Sequence, residues 1–348
     1  MKALLLVSLL AAACGSDESS GNEGGFSGTG GSGGDGISAG TGGMPAGGTA
    51  GVGAEGGTGA VAGTGAVAGG AGDAGSAGTA GTPGACSGKP GLPGLTPRTL
   101  SVGGVSRTYL LYIPASLAPD TAAAVVLAHH GFTMSGEVMR TLTDFQSLAE
   151  EKGFVVGFPD GIGSTWSTGP GACGAGGLGG GQSDDFGFVE AMLDDIEAQQ
   201  CIDRLRVFMT GFSMGGYFSN HTGCERPDLV RAIAPHSGGR ELETSCLAGP
   251  KPVMILHGTV DALIAYNCGD DARKAWALHN GCSAEVDVVP VLGGSCEYSR
   301  ACPPNGPVVL CKFDGMGHGW AGHVGGIYGG GTQYQDATRL AWDFFAAQ

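Results

Sequence analysis

A serine between glycines, an aspartate and a histidine occur in this chain in an order that suits nucleophilic catalysis. The serine is in Gly211-Phe212-Ser213-Met214-Gly215, which fits the pattern G-x-S-x-G of a sharp strand-to-helix turn. A serine hydroxyl becomes a nucleophile when a base removes its proton and an acid orients that base. On the fold that uses this turn, the acid and then the base follow the serine. Asp261 and His318 follow strand-like runs in that order, so they are the predicted acid and base.

Other histidines and aspartates fit this order less well. His323 lies five residues beyond the predicted base, further from the preceding strand, and is the main alternative. His257 lies in the turn that carries the predicted acid, and we expect it to organise that loop. Asp270 and Asp271 come after an intervening segment and are weaker candidates for the acid.

The negative charge that forms during attack on a carbonyl requires an oxyanion hole. One expected donor is the backbone N–H of Met214, directly after the serine. The second is expected in the loop His129-His130-Gly131-Phe132-Thr133-Met134, which follows an early strand-like run. Because a glycine permits close approach of the backbone, the Phe132 N–H is the preferred donor and the Thr133 N–H the next.

Two tryptophans are candidate substrate contacts. Trp166 follows the apolar run at 154–158, and Trp320 comes directly after the predicted base and a glycine. The two indoles are predicted to flank an aromatic acyl group, with Thr133 as a further substrate contact. Packing under a loop is the alternative for both tryptophans.

Short apolar runs alternate with helical patterns through most of the chain beyond residue 100. The predicted strands are 107–114, 123–128, 154–158, 206–210, 230–235, 252–256 and 308–313, and the predicted helices are 141–152, 185–199 and 333–346. Continuous apolar runs are typical of strands that are buried on both faces of a parallel sheet. Their alternation with helices predicts an α/β fold with a mostly parallel, doubly wound sheet. The site is expected at the carboxyl ends of the strands.

The first 85 residues differ in composition from the rest of the chain. Residues 1–13 contain Lys2, an apolar stretch and three alanines, which is typical of an export signal. This segment, followed by Cys14, resembles a bacterial lipoprotein signal, which implies lipidation of Cys14; secretion without a lipid is the alternative. Residues 14–85 are rich in Gly, Ala, Ser and Thr and are predicted to be a flexible linker. Residues 86–348 form the predicted catalytic domain, located outside the cell or at its surface.

Charge and cysteine content exclude several classes of protein. The chain has 17 Lys and Arg against 32 Asp and Glu, so it lacks the basic excess of a nucleic-acid-binding protein. Since no apolar run reaches the roughly 18 residues of a spanning helix, a lipid at Cys14 is the only expected membrane contact. The ten other cysteines are an even number, which favours disulfides in an exported protein. The predicted pairs are Cys173–Cys201 and Cys224–Cys246. Close C-x-x-C pairs typical of zinc sites are missing, so no metal is expected.

An ordered set of motifs resembles the secreted feruloyl esterase and polyhydroxybutyrate depolymerase-like group of α/β-hydrolases. The motifs are H-H-G-F-T, F-P-D-G, D-D-F-G-F, C-I-D-x-x-R-V-F-M-T-G-F-S-M-G-G, H-G-T-x-D and G-M-G-H-G-W. Feruloyl esterases resemble the chain more closely, because depolymerase-like members often carry Asn in place of Met214 and W-P-G where this chain has Trp320-Ala321-Gly322. The resemblance implies the α/β-hydrolase fold and a serine carboxylic ester hydrolase without a cofactor. Its expected substrate is a feruloyl (hydroxycinnamoyl) ester on plant polysaccharide.

The sequence leaves other functions open. Polyhydroxybutyrate depolymerase and acetyl xylan esterase are alternatives with the same chemistry. A catalytically silent surface lipoprotein is the alternative from another class, because a fold does not prove an activity. The complete set of Ser213, Asp261 and His318 argues against it. A peptidase of the same fold would need a covering domain or an amine-anchoring site, and the sequence shows no sign of either.

Overall fold

The computed structural model describes residues 86, 88–169, 173, 183–239, 246–247, 249–324 and 326–348. The predicted signal at 1–13, the lipidation candidate Cys14 and the predicted linker at 14–85 lie outside these residues. Within the described ranges, no helix has the length and apolar character needed to cross a bilayer.

A large sheet with helices on both faces forms the fold. Its strands are β1 Gly94–Val102, β2 Val105–Ile113, β3 Ala123–His129, β4 Val155–Pro159, β5 Ile202–Phe212, β6 Ala232–His236, β7 Val253–Gly258, β8 Val286–Val291, β9 Gly294–Ser299 and β10 Val308–Phe313. The α-helices are α1 Gly136–Thr143, α2 Phe145–Lys152, α3 Asp185–Gln199, α4 Met214–Glu225, α5 Tyr266–Asn280 and α6 Ala337–Ala346. A small second sheet pairs β11 (Trp320–Ala321) with β12 (Gly329–Gly331).

The strands of the large sheet follow the order β1-β2-β4-β3-β5-β6-β7-β10-β9-β8. The central strands β4, β3, β5, β6, β7 and β10 are parallel to one another. The outer strands β1, β2, β8 and β9 pair in antiparallel fashion. This arrangement confirms the predicted α/β class with a mostly parallel sheet, and it brings the carboxyl ends of the central strands to one edge.

Neighbouring residues of β3 pack into two separate cores. Val126 belongs to the core that includes residues of α1, α2 and α6, whereas Val125 belongs to the core that includes residues of α3, α4 and α5. Every residue of β3 is buried. Helices on both faces therefore explain why the strand reads as a continuous apolar run.

Two predicted helices differ from the structure at their ends. The predicted helix 141–152 is divided between α1 and α2, because Asp144 adopts a left-handed conformation with φ of 51°. The predicted helix 333–346 begins only at Ala337, where the Asp336 carboxylate accepts hydrogen bonds from the N–H groups of Thr338 and Arg339. Such a cap defines the start of a helix. The third predicted helix, 185–199, coincides with α3.

The described cysteines form the disulfides Cys86–Cys201, Cys173–Cys268, Cys224–Cys246, Cys282–Cys302 and Cys296–Cys311. Cys224–Cys246 is one of the two predicted pairs. The other predicted pair, Cys173–Cys201, is wrong. Cys201 pairs instead with Cys86, and Cys173 pairs with Cys268 near the start of α5, because the fold brings these remote segments together.

Candidate active site

Ser213 occupies a tight turn between β5 and α4. β5 ends at Phe212, α4 begins at Met214, and Ser213 between them has φ of 53° and ψ of −115°. A positive φ is strained for a residue with a side chain, and such strain is concentrated at functional sites. The Ser213 N–H donates a hydrogen bond to the carbonyl of His236 (2.9 Å). The turn therefore holds Ser213 at the carboxyl ends of β5 and β6.

The two glycines of the G-x-S-x-G pattern are required by close packing. A Cβ atom on Gly211 would overlap the backbone of Gly215. A Cβ atom on Gly215 would overlap the carbonyl of His129, at the end of β3. Only glycine at both positions allows β5, α4 and the end of β3 to approach this closely.

Asp261 and His318 form a hydrogen-bonded pair at the same edge of the sheet. Asp261 follows β7 and His318 follows β10, which are neighbouring parallel strands. The Nδ1 atom of His318 lies 2.7 Å from Oδ2 of Asp261. The Asp261 side chain is fully buried, and that of His318 is 9% exposed. With Nδ1 bound to the carboxylate, Nε2 is the imidazole nitrogen that can accept a proton.

Backbone hydrogen bonds join the loops that carry this pair. The N–H of Thr259 donates to the carbonyl of Phe313, and the N–H of Val260 donates to the carbonyl of Met316, each at 3.0 Å. The Gly315 N–H donates to Oγ1 of Thr259 (2.9 Å). The main chain therefore sets the position of one loop relative to the other.

Hydrogen bonds keep the Asp261 carboxylate ionised. Its Oδ1 accepts from the N–H groups of Leu263 (2.9 Å) and Ile264 (2.8 Å). Burial raises the pKa of Asp261, but the hydrogen bond from His318, assisted by the one from Ile264, outweighs burial and places the pKa below its usual value. An ionised Asp261 can orient the imidazole of His318 and stabilise its protonated form.

His257 supports the loop of Asp261. It is fully buried, and its Nε2 atom lies 2.9 Å from the carbonyl oxygen of Ile264 and 3.6 Å from Oδ2 of Asp261. Burial lowers the pKa of His257, so the imidazole is neutral and Nε2–H is the donor to Ile264. This contact fits the loop-organising role expected for His257.

The His318 loop lies against the serine turn. The ring centroids of Phe212 and His318 are 4.7 Å apart, and Phe212 directly precedes Ser213. His236, whose carbonyl accepts from the Ser213 N–H, accepts at Nε2 from the Ala321 N–H (3.3 Å). The structure therefore brings the serine turn and the Asp261–His318 pair to one place at the edge of the sheet.

The alternative base and acids have partners elsewhere. Nε2 of His323 lies 3.1 Å from Oδ1 of Asp336, the cap of α6. Asp270 forms ion pairs with Arg273 and Lys274 along α5, and Asp271 also pairs with Lys274. Geometry therefore favours Asp261 and His318 over these residues.

The loop after β3 is in contact with Ser213. A Cβ atom on Gly131 would lie 3.3 Å from Cβ of Ser213. Among the described residues, the N–H groups of Phe132 and Met214 donate no hydrogen bond, and Met214 is the first residue of α4, where an N–H has no acceptor within the helix. The Thr133 N–H instead donates to the carbonyl of Ser164 (3.3 Å). This corrects the prediction of Thr133 as the second choice of oxyanion donor.

The two tryptophans predicted to contact substrate are packing residues. Both are fully buried. Nε1 of Trp166 donates to the carbonyl of His130 (2.9 Å), and Nε1 of Trp320 donates to Oγ1 of Thr338 (2.9 Å). The prediction that their indoles flank an aromatic acyl group is wrong, because neither ring has surface left for a ligand.

An apolar groove lies near the site, and no pattern in the sequence predicts it. It has a volume of about 300 Å³, and its lining includes Val138 and Leu142 of α1 and Ile327 and Tyr328. The ring of Tyr328 is 5.7 Å from that of Phe212, so one lining residue of the groove lies close to the residue that precedes Ser213. Its two walls come from distant parts of the chain, which no local pattern connects. Across the described residues, no cluster of three or more His, Cys, Asp or Glu side chains has the arrangement of a metal site.

A family model and several curated proteins match parts of this chain. The family model described as alpha/beta hydrolase fold matches residues 124–245. Feruloyl esterase B of Piromyces equi is 29% identical over 236 residues, which cover 61% of this chain and 42% of that protein. The chain thus spans less than half the length of that relative. Feruloyl esterase C of Emericella nidulans is 27% identical over 264 residues, covering 73% of this chain and 88% of that protein.

The fold is also similar to that of a solved structure. An acetyl xylan esterase from Aspergillus awamori superimposes with a TM-score of 0.51 at 16% sequence identity. The match covers 73% of this chain and 100% of that chain.

Proposed function

We propose that this chain, which has the α/β-hydrolase fold and is similar to curated feruloyl esterases, hydrolyses carboxylic esters through Ser213, His318 and Asp261. The observation that carries this proposal is the Asp261–His318 pair, with 2.7 Å between Nδ1 and Oδ2, beside the strained turn of Ser213. The curated feruloyl esterases among its relatives support the same class of enzyme.

The first half of the proposed reaction forms an acyl-enzyme. Oγ of Ser213 attacks the ester carbonyl carbon while Nε2 of His318 takes the hydroxyl proton, and Asp261 stabilises the resulting imidazolium. The oxyanion accepts hydrogen bonds from the N–H groups of Phe132 and Met214, which are free to donate. The bond to the alcohol oxygen then breaks as His318 returns the proton to that oxygen.

The second half releases the acid. A water molecule attacks the acyl carbon of the ester on Ser213 while Nε2 of His318 takes a proton from the water. The tetrahedral intermediate uses the same two N–H donors, and its collapse breaks the bond to Oγ. His318 protonates Oγ, and Ser213 is restored. His318 carries out every proton transfer and the two backbone N–H groups stabilise the oxyanion, so the proposed reaction needs no cofactor.

The proposed substrate is a hydroxycinnamoyl ester of plant cell-wall polysaccharide. This choice depends on relatives that are named feruloyl esterases and match over most of their length. The apolar groove along Val138, Leu142 and Ile327 supports a substrate with a bulky apolar group near the ester. We also propose that the enzyme is exported, because the five disulfides among its described residues are typical of an oxidising compartment. A lipid anchor at Cys14 is a further part of this proposal.

The test is a substrate panel on the purified protein. Methyl ferulate, acetylated xylan, polyhydroxybutyrate and a peptide are compared, with p-nitrophenyl acetate as a general ester and Ser213→Ala as the blank. We expect hydrolysis of p-nitrophenyl acetate and a preference for methyl ferulate. Preference for acetylated xylan or polyhydroxybutyrate would overturn the substrate assignment. Peptide cleavage, or no hydrolysis at all, would overturn the proposed class of enzyme.

A further inference from the structure

A small buried cluster connects the helix after Ser213 with the loop of Asp261. Its members are Tyr217, Ile264 and Cys268, each less than 5% exposed, and Cys173 packs against them. The disulfide Cys173–Cys268 closes the group. We call these four residues the Tyr217 cluster. They are separate from the two cores that flank the large sheet.

The cluster contacts the predicted acid through Ile264. The Ile264 N–H donates to Oδ1 of Asp261 (2.8 Å), while the Ile264 side chain is packed in the cluster. The next residue, Ala265, accepts at its carbonyl a hydrogen bond from the Cys268 N–H (2.9 Å). The backbone donor to the carboxylate therefore depends on a segment that the disulfide holds in place.

The cluster contacts the predicted nucleophile through Tyr217. The Tyr217 N–H donates to the carbonyl of Ser213 (3.0 Å), and the Tyr217 hydroxyl donates to the carbonyl of Cys173. Burial raises the pKa of Tyr217 to about 12, so the hydroxyl keeps its proton. Gly239, which follows β6, lies so close to Cys268 that a Cβ atom on Gly239 would overlap the backbone of Cys268. The disulfide is thus fitted tightly between the segments that follow β5, β6 and β7.

We propose that the Cys173–Cys268 disulfide is a positioning element for catalysis, which holds the Ile264 segment so that Asp261 stays aligned with His318. This inference depends on the proposed ester hydrolysis. Without the bridge, Cys173 is no longer tied to α5, and the packing that immobilises Ile264 is lost. The carboxylate then loses its fixed direction toward Nδ1 of His318, although all three reacting residues are still present.

The experiment compares a variant without the Cys173–Cys268 disulfide with a variant without another disulfide that closes a loop of similar length. Cys173→Ala/Cys268→Ala is compared with Cys86→Ala/Cys201→Ala; the two disulfides span 95 and 115 residues, so they constrain the unfolded chain to a similar degree. Cys201 directly precedes β5, at the edge of the sheet opposite the site. For p-nitrophenyl acetate, we expect kcat of the first variant to fall roughly 10- to 100-fold with little change in KM, since small misplacements of catalytic groups have effects of this size. The control variant should keep most of its kcat.

A double-mutant cycle separates positioning from general destabilisation. If the bridge acts through Asp261, then adding Asp261→Asn to the Cys173→Ala/Cys268→Ala variant lowers kcat far less than it does in the wild type. Additive losses, or an unchanged kcat without the bridge, would overturn the proposal. Ile264→Ala, which keeps the bridge, gives a second route if the cysteine variant does not fold; it should lower kcat, and Ile264→Val should restore most of it. If the wild-type protein hydrolyses no ester, the proposed function has failed rather than this inference.

Discussion

The Nδ1 atom of His318 and the Oδ2 atom of Asp261 lie 2.7 Å apart although 57 residues separate them in the chain. Pairing of β7 with β10 explains this proximity, because the two residues follow the carboxyl ends of neighbouring strands. The other histidine close in sequence, His323, is bound to Asp336 instead. The two histidines can therefore be distinguished by mutation.

His318→Ala should lower kcat for p-nitrophenyl acetate by at least about 10³-fold, because loss of the base leaves the serine hydroxyl unactivated. His323→Ala should keep most of the rate, since its contacts are with the cap of α6. Steady-state kinetics on both folded variants checks this prediction. An active His318→Ala enzyme beside an inactive His323→Ala enzyme would move the base to His323.

The lowered pKa of Asp261 predicts a pH-dependent contribution to stability. Because the folded pKa lies below the unfolded value of about 3.9, ionised Asp261 stabilises the folded state. That contribution is fully present above the unfolded pKa and is lost as pH falls through the lower folded pKa. The loss of unfolding free energy caused by Asp261→Asn should therefore be larger at pH 7 and at pH 5.5 than at pH 3.

Urea unfolding of the wild type and of Asp261→Asn at pH 7, 5.5 and 3 measures this loss of unfolding free energy. Asp314→Asn is the matched control, because Asp314 is exposed and lies in the neighbouring loop after β10. Asp314→Asn should lower the unfolding free energy less than Asp261→Asn at pH 7, because the exposed Asp314 side chain loses no buried contact. If the loss of unfolding free energy caused by Asp261→Asn is the same at pH 3 as at pH 7, the electrostatic role of the carboxylate is contradicted.

Gly215→Ala should destabilise the protein, because the new Cβ atom would overlap the carbonyl of His129. Overpacking of this kind costs about 1–3 kcal/mol, and esterase activity should fall as the serine turn is displaced. Gly249→Ala is the control, since a Cβ atom there meets no neighbour within 4 Å. An equal change of Tm in both variants would show that the packing of Gly215 against the His129 carbonyl does not require glycine.

Trp166→Phe should lower stability without changing substrate preference. The change leaves the buried carbonyl of His130 without its donor, which costs about 1–3 kcal/mol. The ratio of kcat/KM for methyl ferulate to that for p-nitrophenyl acetate should stay at the wild-type value. A selective loss of methyl ferulate hydrolysis would restore Trp166 as a substrate contact.

The central strands and the order of the site residues were predictable from the sequence. β3 reads as an apolar run because it is buried on both faces, and Ser213 is recognisable because glycines must stand two positions away on either side. Asp261 and His318 could be selected because each follows a strand of this kind. Local sequence carries this information, since burial and turn geometry act on neighbouring residues.

Other features depend on contacts that no local pattern records. β8 went unpredicted because it is the outermost strand of the large sheet, where four of its six residues are exposed. The burial of Trp166 and Trp320 depends on which way each indole turns beneath its loop. The pairing of Cys173 with Cys268 joins the start of α5, just beyond the carboxyl end of β7, to a segment 95 residues earlier in the chain. For the two tryptophans and the disulfide, the deciding partner is remote in sequence.

The most direct test of the account is covalent labelling of the nucleophile. A fluorophosphonate reacts only with a serine that a neighbouring base has activated, and peptide mass spectrometry locates the adduct. We predict one adduct per chain, on Ser213, with activity lost in proportion to labelling and no adduct on Ser213→Ala or His318→Ala. Labelling at another residue, or full ester hydrolysis by an unlabelled Ser213→Ala protein, would contradict the assignment of Ser213 as the nucleophile.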